Sequence, residues 1–419
     1  MKEKFLKLLI IVTIGGLLLS ACAPSATPTA APVSPTSAPV SPTSAPVSPQ
    51  PTNSSQAETG TIYIAAVYPM TGDNALYGQD EVQAHKYVID KVNAAGGING
   101  RMIELDVFDD AGDPQQAANV AQKLVGDPKY VAGFGHFMSV DTLAAAPIYN
   151  DGKFLFLTDS VNAKLSGISP WMFRYSITDR EAGRQLVWAA IKNHPEYKKV
   201  AILFDQSDFG VGQKDTITGE LKALGVDIVD TESYVAGQSK DFSPQLTKIK
   251  STTPDVIFIA GYFTEAAEIA QQMHQLGMNQ TIWGPDGLND VGLIKLGGKD
   301  VEGVRVVSYF SENATYPGIA DTVKEYQAKW NVKPDGISAI TLDATQLLID
   351  GIKAVGTDRD KLREWLSTEK DFVGISGPIQ FDQNHDNLRR IVVIEVQNGQ
   401  FVVSKDQVPQ LYYDTEFGK

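Results

Sequence analysis

TIYIAAVYPMTGDNALYGQDEVQAHKYVIDKVNAAGGINGRMIELDVF, residues 61–108, is the stretch that decides the fold. Thr61 to Val67 is a β-rich run, Gln79 to Asn93 has helical apolar spacing and stops at Gly96-Gly97, and Met102 to Phe108 is a second β-rich run. Strand, helix and strand in this order form one βαβ unit. Two parallel strands are joined by a crossover helix, because parallel neighbours cannot be linked by a tight turn.

Outward from this unit the alternation continues. Pro114 to Leu124 and Thr142 to Tyr149 read as helices, Tyr130 to Phe134 and Phe154 to Leu157 as strands. A second series follows, with strands at Val200 to Phe204, Asp227 to Tyr234, Asp255 to Ala260 and Thr281 to Trp283. Helices at Val211 to Leu224, Phe242 to Lys250 and Thr264 to Leu276 separate them. Strands alternating with helices imply parallel sheets covered on both faces. Helices return at Ala320 to Trp330, Ser338 to Val355 and Asp358 to Leu366. Arg389 to Gln397 and Gln400 to Val403 then flank Asn398-Gly399, the signature of a hairpin. In open parallel sheets a ligand sits beyond the carboxyl ends of the strands, so those loops are the places to search.

The 419 residues suffice for two domains, and 43% hydrophobic with 21% charged residues is the composition of a folded globular chain. A formal charge of −14, with no cluster of Lys and Arg, argues against nucleic acid or an anionic membrane surface as partner. Cys22 is the only cysteine, which excludes an internal disulfide and a thiolate-rich zinc site.

Cys22 has a different use. Lys2, Lys4 and Lys7, an apolar run from Leu8 to Leu19 and a small-residue exit make residues 1–21 a secretion signal, too short in its apolar part for a spanning helix. Leu19-Ser20-Ala21-Cys22 resembles the lipobox of bacterial lipoproteins, which implies cleavage before Cys22 and its lipidation. Losing three lysines and Glu3 removes a net charge of +2 and leaves −16. APVSPTS then stands at Ala31 to Ser37 and again at Ala38 to Ser44. Recurrent proline forbids helix and favours an extended polyproline spacer over residues 22–59. At about 3.1 Å per residue, Ala23 to Thr59 would reach about 115 Å.

Chemistry-bearing motifs are missing. There is no GxxxxGK[ST] phosphate loop, HExxH or GxSxG, and His85, His136, His194, His274 and His385 lack metal-ligand spacing. Gly133-Phe134-Gly135-His136 lacks the third glycine of a dinucleotide fingerprint and reads as a close backbone turn. No enzyme, cofactor or metal is expected. An exported hydrolase would need paired carboxylates or an activated nucleophile, and neither pattern is seen.

Several strings in order resemble the branched-chain amino-acid-binding proteins of ABC transport, the leucine, isoleucine and valine receptors. They are Tyr68-Pro69-Met70-Thr71-Gly72 with Tyr77-Gly78, Ala94 to Gly100, Asp109-Asp110 with Asp113-Pro114, Gly135-His136, Asp208-Phe209-Gly210, Asp241-Phe242, Gly261-Tyr262 and Gly284-Pro285-Asp286-Gly287. The resemblance implies a two-lobed α/β type I periplasmic-binding-protein fold, each lobe a mostly parallel sheet flanked by helices. It places hinge crossings near Thr178, Ser308 and Gly377. Lobe 1 is then 60–178 with 308–376, and lobe 2 is 179–307 with 377–419.

Residue by residue, the resemblance matches Ser139 to the serine that binds the ligand carboxylate, Asn162 to its partner threonine and Ser160 to a residue whose backbone helps. Asp286 matches the acidic partner of the ligand ammonium. Tyr77, Phe209 and Tyr262 match aromatic lining positions. The physics agrees at Ser139, which precedes a helix beginning near Asp141 and Thr142, where the dipole favours an anion. Asp141 and Asp159 are expected to add negative charge near the cleft mouth, and Gly112 and Met138 stand where some members pair cysteines. The implied protein is a monomeric, lipid-anchored, extracytoplasmic binding protein feeding an ABC permease with a small amino acid. A urea-like amide or aromatic acid as ligand, or a sensory role, are the alternatives.

Overall fold

The computed structural model describes residues 60–416; the expected leader, Cys22 and the spacer lie outside this range. The first half runs β1 (Ile62–Tyr68), α1 (Ala75–Ala94), β2 (Ile103–Asp109), α2 (Pro114–Gly126), β3 (Tyr130–Gly135), α3 (Ser139–Asp151), β4 (Phe156–Thr158) and β5 (Met172–Arg174). These strands form one sheet in the order β2-β1-β3-β4-β5 with every pair parallel. β1 is buried along nearly its whole length, as a central strand covered on both faces must be.

The second half runs α4 (Asp179–Asn193), β6 (Lys199–Asp205), α5 (Asp208–Ala223), β7 (Asp227–Tyr234), α6 (Ser243–Thr252), β8 (Val256–Ala260), α7 (Phe263–Gln275), β9 (Thr281–Gly284), α8 (Val291–Gly297) and β10 (Arg305–Ser308). α9 (Ile319–Trp330), α10 (Gly336–Val355), α11 (Arg359–Thr368), β11 (Val373–Gly374), β12 (Gly377–Pro378), β13 (Val392–Gln397), β14 (Gln400–Val403) and α12 (Gln410–Glu416) complete it. The second sheet has the order β14-β13-β10-β9-β8-β6-β7, parallel from β10 to β7 and antiparallel where β13 joins β10 and β14. Asn398 and Gly399 both have positive φ, 53° and 71°, as a two-residue hairpin turn requires.

The two sheets are the cores of two lobes. β5, β10, α4 and α8 are elements that sequence reading passes over. Three- and four-residue strands carry too little periodicity to stand out. α4 did carry a signal, since Thr178 caps it by accepting from the N–H of Glu181, three residues on.

α4 packs on α5 and β9 of the second lobe, and α10 packs on α1 of the first. The rings of Tyr87 (α1) and Tyr326 (α9) meet at 5.6 Å, and Lys91 pairs with Glu325 at 2.6 Å. The third crossing falls later than the expected position near Gly377. His385 stacks on Phe173 at 4.1 Å, Arg174 holds Asp386 in a buried ion pair at 2.7 Å, and the Asn387 amide donates to the Tyr175 carbonyl. These contacts keep residues 377–387 on the first lobe, and the chain changes sheets between Asn387 and Val392. Breaking the pair to shift the crossing would strand a buried charge.

The turn at the end of β3 is as close as its glycines suggest. Gly135 has φ +120°, and a Cβ there would lie 1.9 Å from the Val67 carbonyl oxygen of β1. Gly135→Ala should therefore push two paired strands apart and cost at least about 2 kcal/mol. Urea unfolding should show a lowered midpoint for this variant, whereas Gly219→Ala, with open space around its Cβ, should leave the midpoint at or above that of the parent.

Candidate functional site

Each wall of the interlobe cleft begins where a parallel strand ends. Phe137 and Ser139 follow β3, and Asp159, Ser160 and Val161 follow β4. From the other lobe, Phe209 follows β6, Tyr262 follows β8, and Asp286 and Gly287 follow β9. These nine residues enclose one cavity. About 230 Å³ lies between them, open solvent at the mouth included.

Ser139 is the first residue of α3 and only 1% exposed. The first N–H groups of a helix have no partner within it and carry the positive end of its dipole, so this end of α3 is suited to receive an anion. Opposite stands Asp286, 5% exposed, in the short turn after β9, with its Oδ1 lacking any hydrogen bond. Burial raises its pKa to about 6, with the Tyr309 hydroxyl opposing the rise.

Aromatic rings fill the remainder. Tyr77 stacks on Phe137 at 4.1 Å, and Phe209 stacks on Tyr262 at 4.8 Å. Tyr77 does not itself line the cavity. It stands behind Phe137 and its hydroxyl donates across the cleft to the Gly287 carbonyl while accepting from the Phe263 N–H at 3.4 Å. It ties the lobes together.

Two of the expected ligand contacts are arranged differently. Ser160 lines the cavity, but its N–H donates to Thr158 Oγ1 at 3.1 Å and its hydroxyl to the His136 carbonyl at 2.6 Å, so neither donor is free. Its carbonyl accepts from Arg174 at 2.7 Å. Asn162 leaves the wall to Val161. Its carboxamide caps the turn Ala163–Leu165 through Lys164 N–H and donates to the Asp208 carbonyl of the other lobe at 2.5 Å. Asn162 serves as a clasp, and its carboxamide brings no hydroxyl to that corner of the site.

Asp141 and Asp159 do not sit at the mouth. Asp141 is fully buried under the first turn of α3 with both oxygens unpartnered, and burial lifts its pKa to about 8. Asp159 is 4% exposed, lines the cavity and has an unpartnered Oδ1; burial raises it to about 7. Glu81 of α1 lies against it, fully buried, with Oε2 receiving the Thr341 hydroxyl and Oε1 unpartnered. Burial and the neighbouring Asp159 hold Glu81 well above the carboxylate range. Sequence reasoning missed Phe137, Val161, Gly287 and Glu81. The first three lay within a residue or two of named positions on the same loops, while Glu81, inside a helix, gave no signal. Among the described residues, no group of three His, Cys, Asp or Glu side chains is disposed to hold a metal.

A carboxyl group whose pKa is higher in the folded protein than in the unfolded chain stabilises the fold when protonated, and that contribution is lost as pH rises through the folded value. For Asp286, Asp159 and Asp141 the window runs from about 4, the ordinary value, to about 6, about 7 and about 8. The stability of the ligand-free protein should thus fall between pH 5 and pH 8, by about 1.4 kcal/mol per pH unit for each excess proton bound, and its melting temperature with it. Asp141→Asn should flatten the upper part of that slope; a melting curve that rises over this range would contradict the assignment.

Residues 61–400 match the model of the family described as periplasmic binding protein. The chain is 30% identical over 313 residues to an amino acid binding protein of Pseudomonas aeruginosa, covering 73% of this chain and 82% of that one. It superposes on a leucine binding protein of Thermotoga maritima with a TM-score of 0.77 at 29% identity, covering 82% of this chain and 98% of that one. A branched-chain amino acid transporter substrate binding protein of Streptococcus pneumoniae, solved with isoleucine, gives a TM-score of 0.76 at 27% identity, covering 81% and 97%.

Proposed function

Because this chain belongs to the family of periplasmic binding proteins, we propose that it captures a small amino-acid-like zwitterion between its two lobes and delivers it to an ABC importer. The observation that carries this reading is the pairing across one cavity of Ser139, at the N-terminus of α3, with Asp286, whose Oδ1 is free. An α-carboxylate meets the hydroxyl and helix amides, and an α-ammonium meets the carboxylate in a dry site where a charge-assisted hydrogen bond is strongest. Phe209, Tyr262 and Phe137 take the apolar part of the ligand, and Tyr77 and Asn162 hold the closed form through their cross-lobe hydrogen bonds.

The relatives are substrate-binding proteins rather than enzymes. In the proposed arrangement Cys22 is the lipidated N-terminus of the mature chain, residues 22–59 are its spacer, and the body works outside the cytoplasm as a monomer. Lobe 1 takes residues 60–178 and 308–387, and lobe 2 the remainder. Among the described residues no helix is long and apolar enough to cross a membrane. An aromatic acid would satisfy the rings and Ser139 but bring no cation to Asp286, which ranks it second.

A thermal-shift screen of the chain, freed of bound ligand by unfolding and refolding, checks this. An amino acid at 100 times its Kd stabilises the folded form by about 2.7 kcal/mol, and Asp286→Ala should weaken binding by about 10- to 100-fold, the worth of a hydrogen bond to a charged group. Ser139→Ala should weaken it less, since the helix amides remain. A response to benzoate-like acids, amides or sugars alone, unaffected by Asp286→Ala, would remove the zwitterion reading.

A further inference from the structure

The proposed zwitterion pairing leaves one cavity group without a role. Asp159 reaches the same cavity from the first lobe, nine-tenths buried or more, with Oδ1 unpartnered. None of the nine lining residues is Lys, Arg or His. Arg174, the cation beneath this loop, is already committed to Asp386 and to the Ser160 carbonyl.

Glu81 does not cancel the charge. A proton shared between Glu81 Oε1 and Asp159 Oδ1 would satisfy both orphaned oxygens; with Asp159 raised only to about 7, a cation beside the pair favours its singly ionised form, and Asp286 carries another charge. A neutral amino acid brings one ammonium and one carboxylate, so it matches Asp286 and the α3 terminus and leaves the Asp159 side unbalanced in a medium that penalises unpaired charge. The rings of Phe137, Phe209 and Tyr262 border the same space, and aromatic faces attract cations as well as apolar groups.

Resting on the zwitterion reading, we infer that Asp159 is a specificity-determining residue which selects an amino acid carrying a second cationic group on a short side chain, with the α-ammonium on Asp286 and the side-chain cation on Asp159. The limited cavity favours short diamino acids over long ones.

Isothermal titration of the purified full chain, refolded free of ligand and held at neutral pH, tests this. The probes are 2,4-diaminobutyrate, ornithine, lysine and arginine against homoserine, norvaline and leucine. At least one cationic amino acid should bind about tenfold or more tightly than leucine, and Asp159→Asn should erase that preference by weakening the cationic amino acids about tenfold or more relative to leucine. Asp159→Ser provides a second variant should the amide disturb packing against Glu81, and the parent's preference is read without any variant. Neutral amino acids binding as well as or better than every cationic one, or Asp159→Asn weakening both classes alike, overturns the inference and leaves the zwitterion site standing. Binding of no amino acid at all defeats both.

Discussion

A parallel strand cannot be followed by its neighbour through a tight turn; the chain must cross back over the sheet before it can pair again. The site depends on that constraint. Because β1, β3 and β4 run the same way, the segments leaving their carboxyl ends all emerge along one edge of the first sheet, and those leaving β6, β8 and β9 along one edge of the second. Facing these two edges across a cleft brings together residues as distant in sequence as Phe137 and Gly287. Gly135 is where this geometry is tightest, since the chain must leave β3 within van der Waals reach of β1.

Gathering loops this way concentrates carboxyl groups in dry surroundings. Asp141, Asp159, Asp286 and Glu81 all have pKa values raised first by burial, and each keeps at least one oxygen without a donor. A fold evolved for stability alone would gain from removing them. Of the four, Asp159 and Asp286 line the cavity, where the proposed ligand would compete with protons for the same oxygens.

Polar ties join the lobes at several points, among them Phe263 to Tyr77, and both Thr264 and Lys240 to Asp73. Tyr77 to the Gly287 carbonyl, Asn162 to the Asp208 carbonyl and Lys164 to the Asp208 carboxylate cross the cleft beside its aromatic wall. Tyr77 and Phe137 also meet Tyr262 and Phe263 across the cleft, so rings and hydrogen bonds hold the lobes together at the same place.

By itself the sequence determined the α/β class, the βαβ units and the Asn398-Gly399 hairpin. These follow from periodicity and turn chemistry within a few tens of residues. Ser139, Phe209, Tyr262 and Asp286 came into view through the resemblance to the branched-chain amino-acid-binding proteins, on loops that each follow a strand. Only the tertiary structure decided which atoms on those loops are free. Ser160 spends its donors on its own lobe, Asn162 reaches the other lobe and yields the wall to Val161, and Asp159 turns inward against Glu81. The third crossing was likewise beyond local reading, since the buried Arg174–Asp386 pair that sets it joins residues 212 positions apart. Backbone class is written in short-range pattern, whereas hydrogen-bond partners and desolvation are properties of the packed chain.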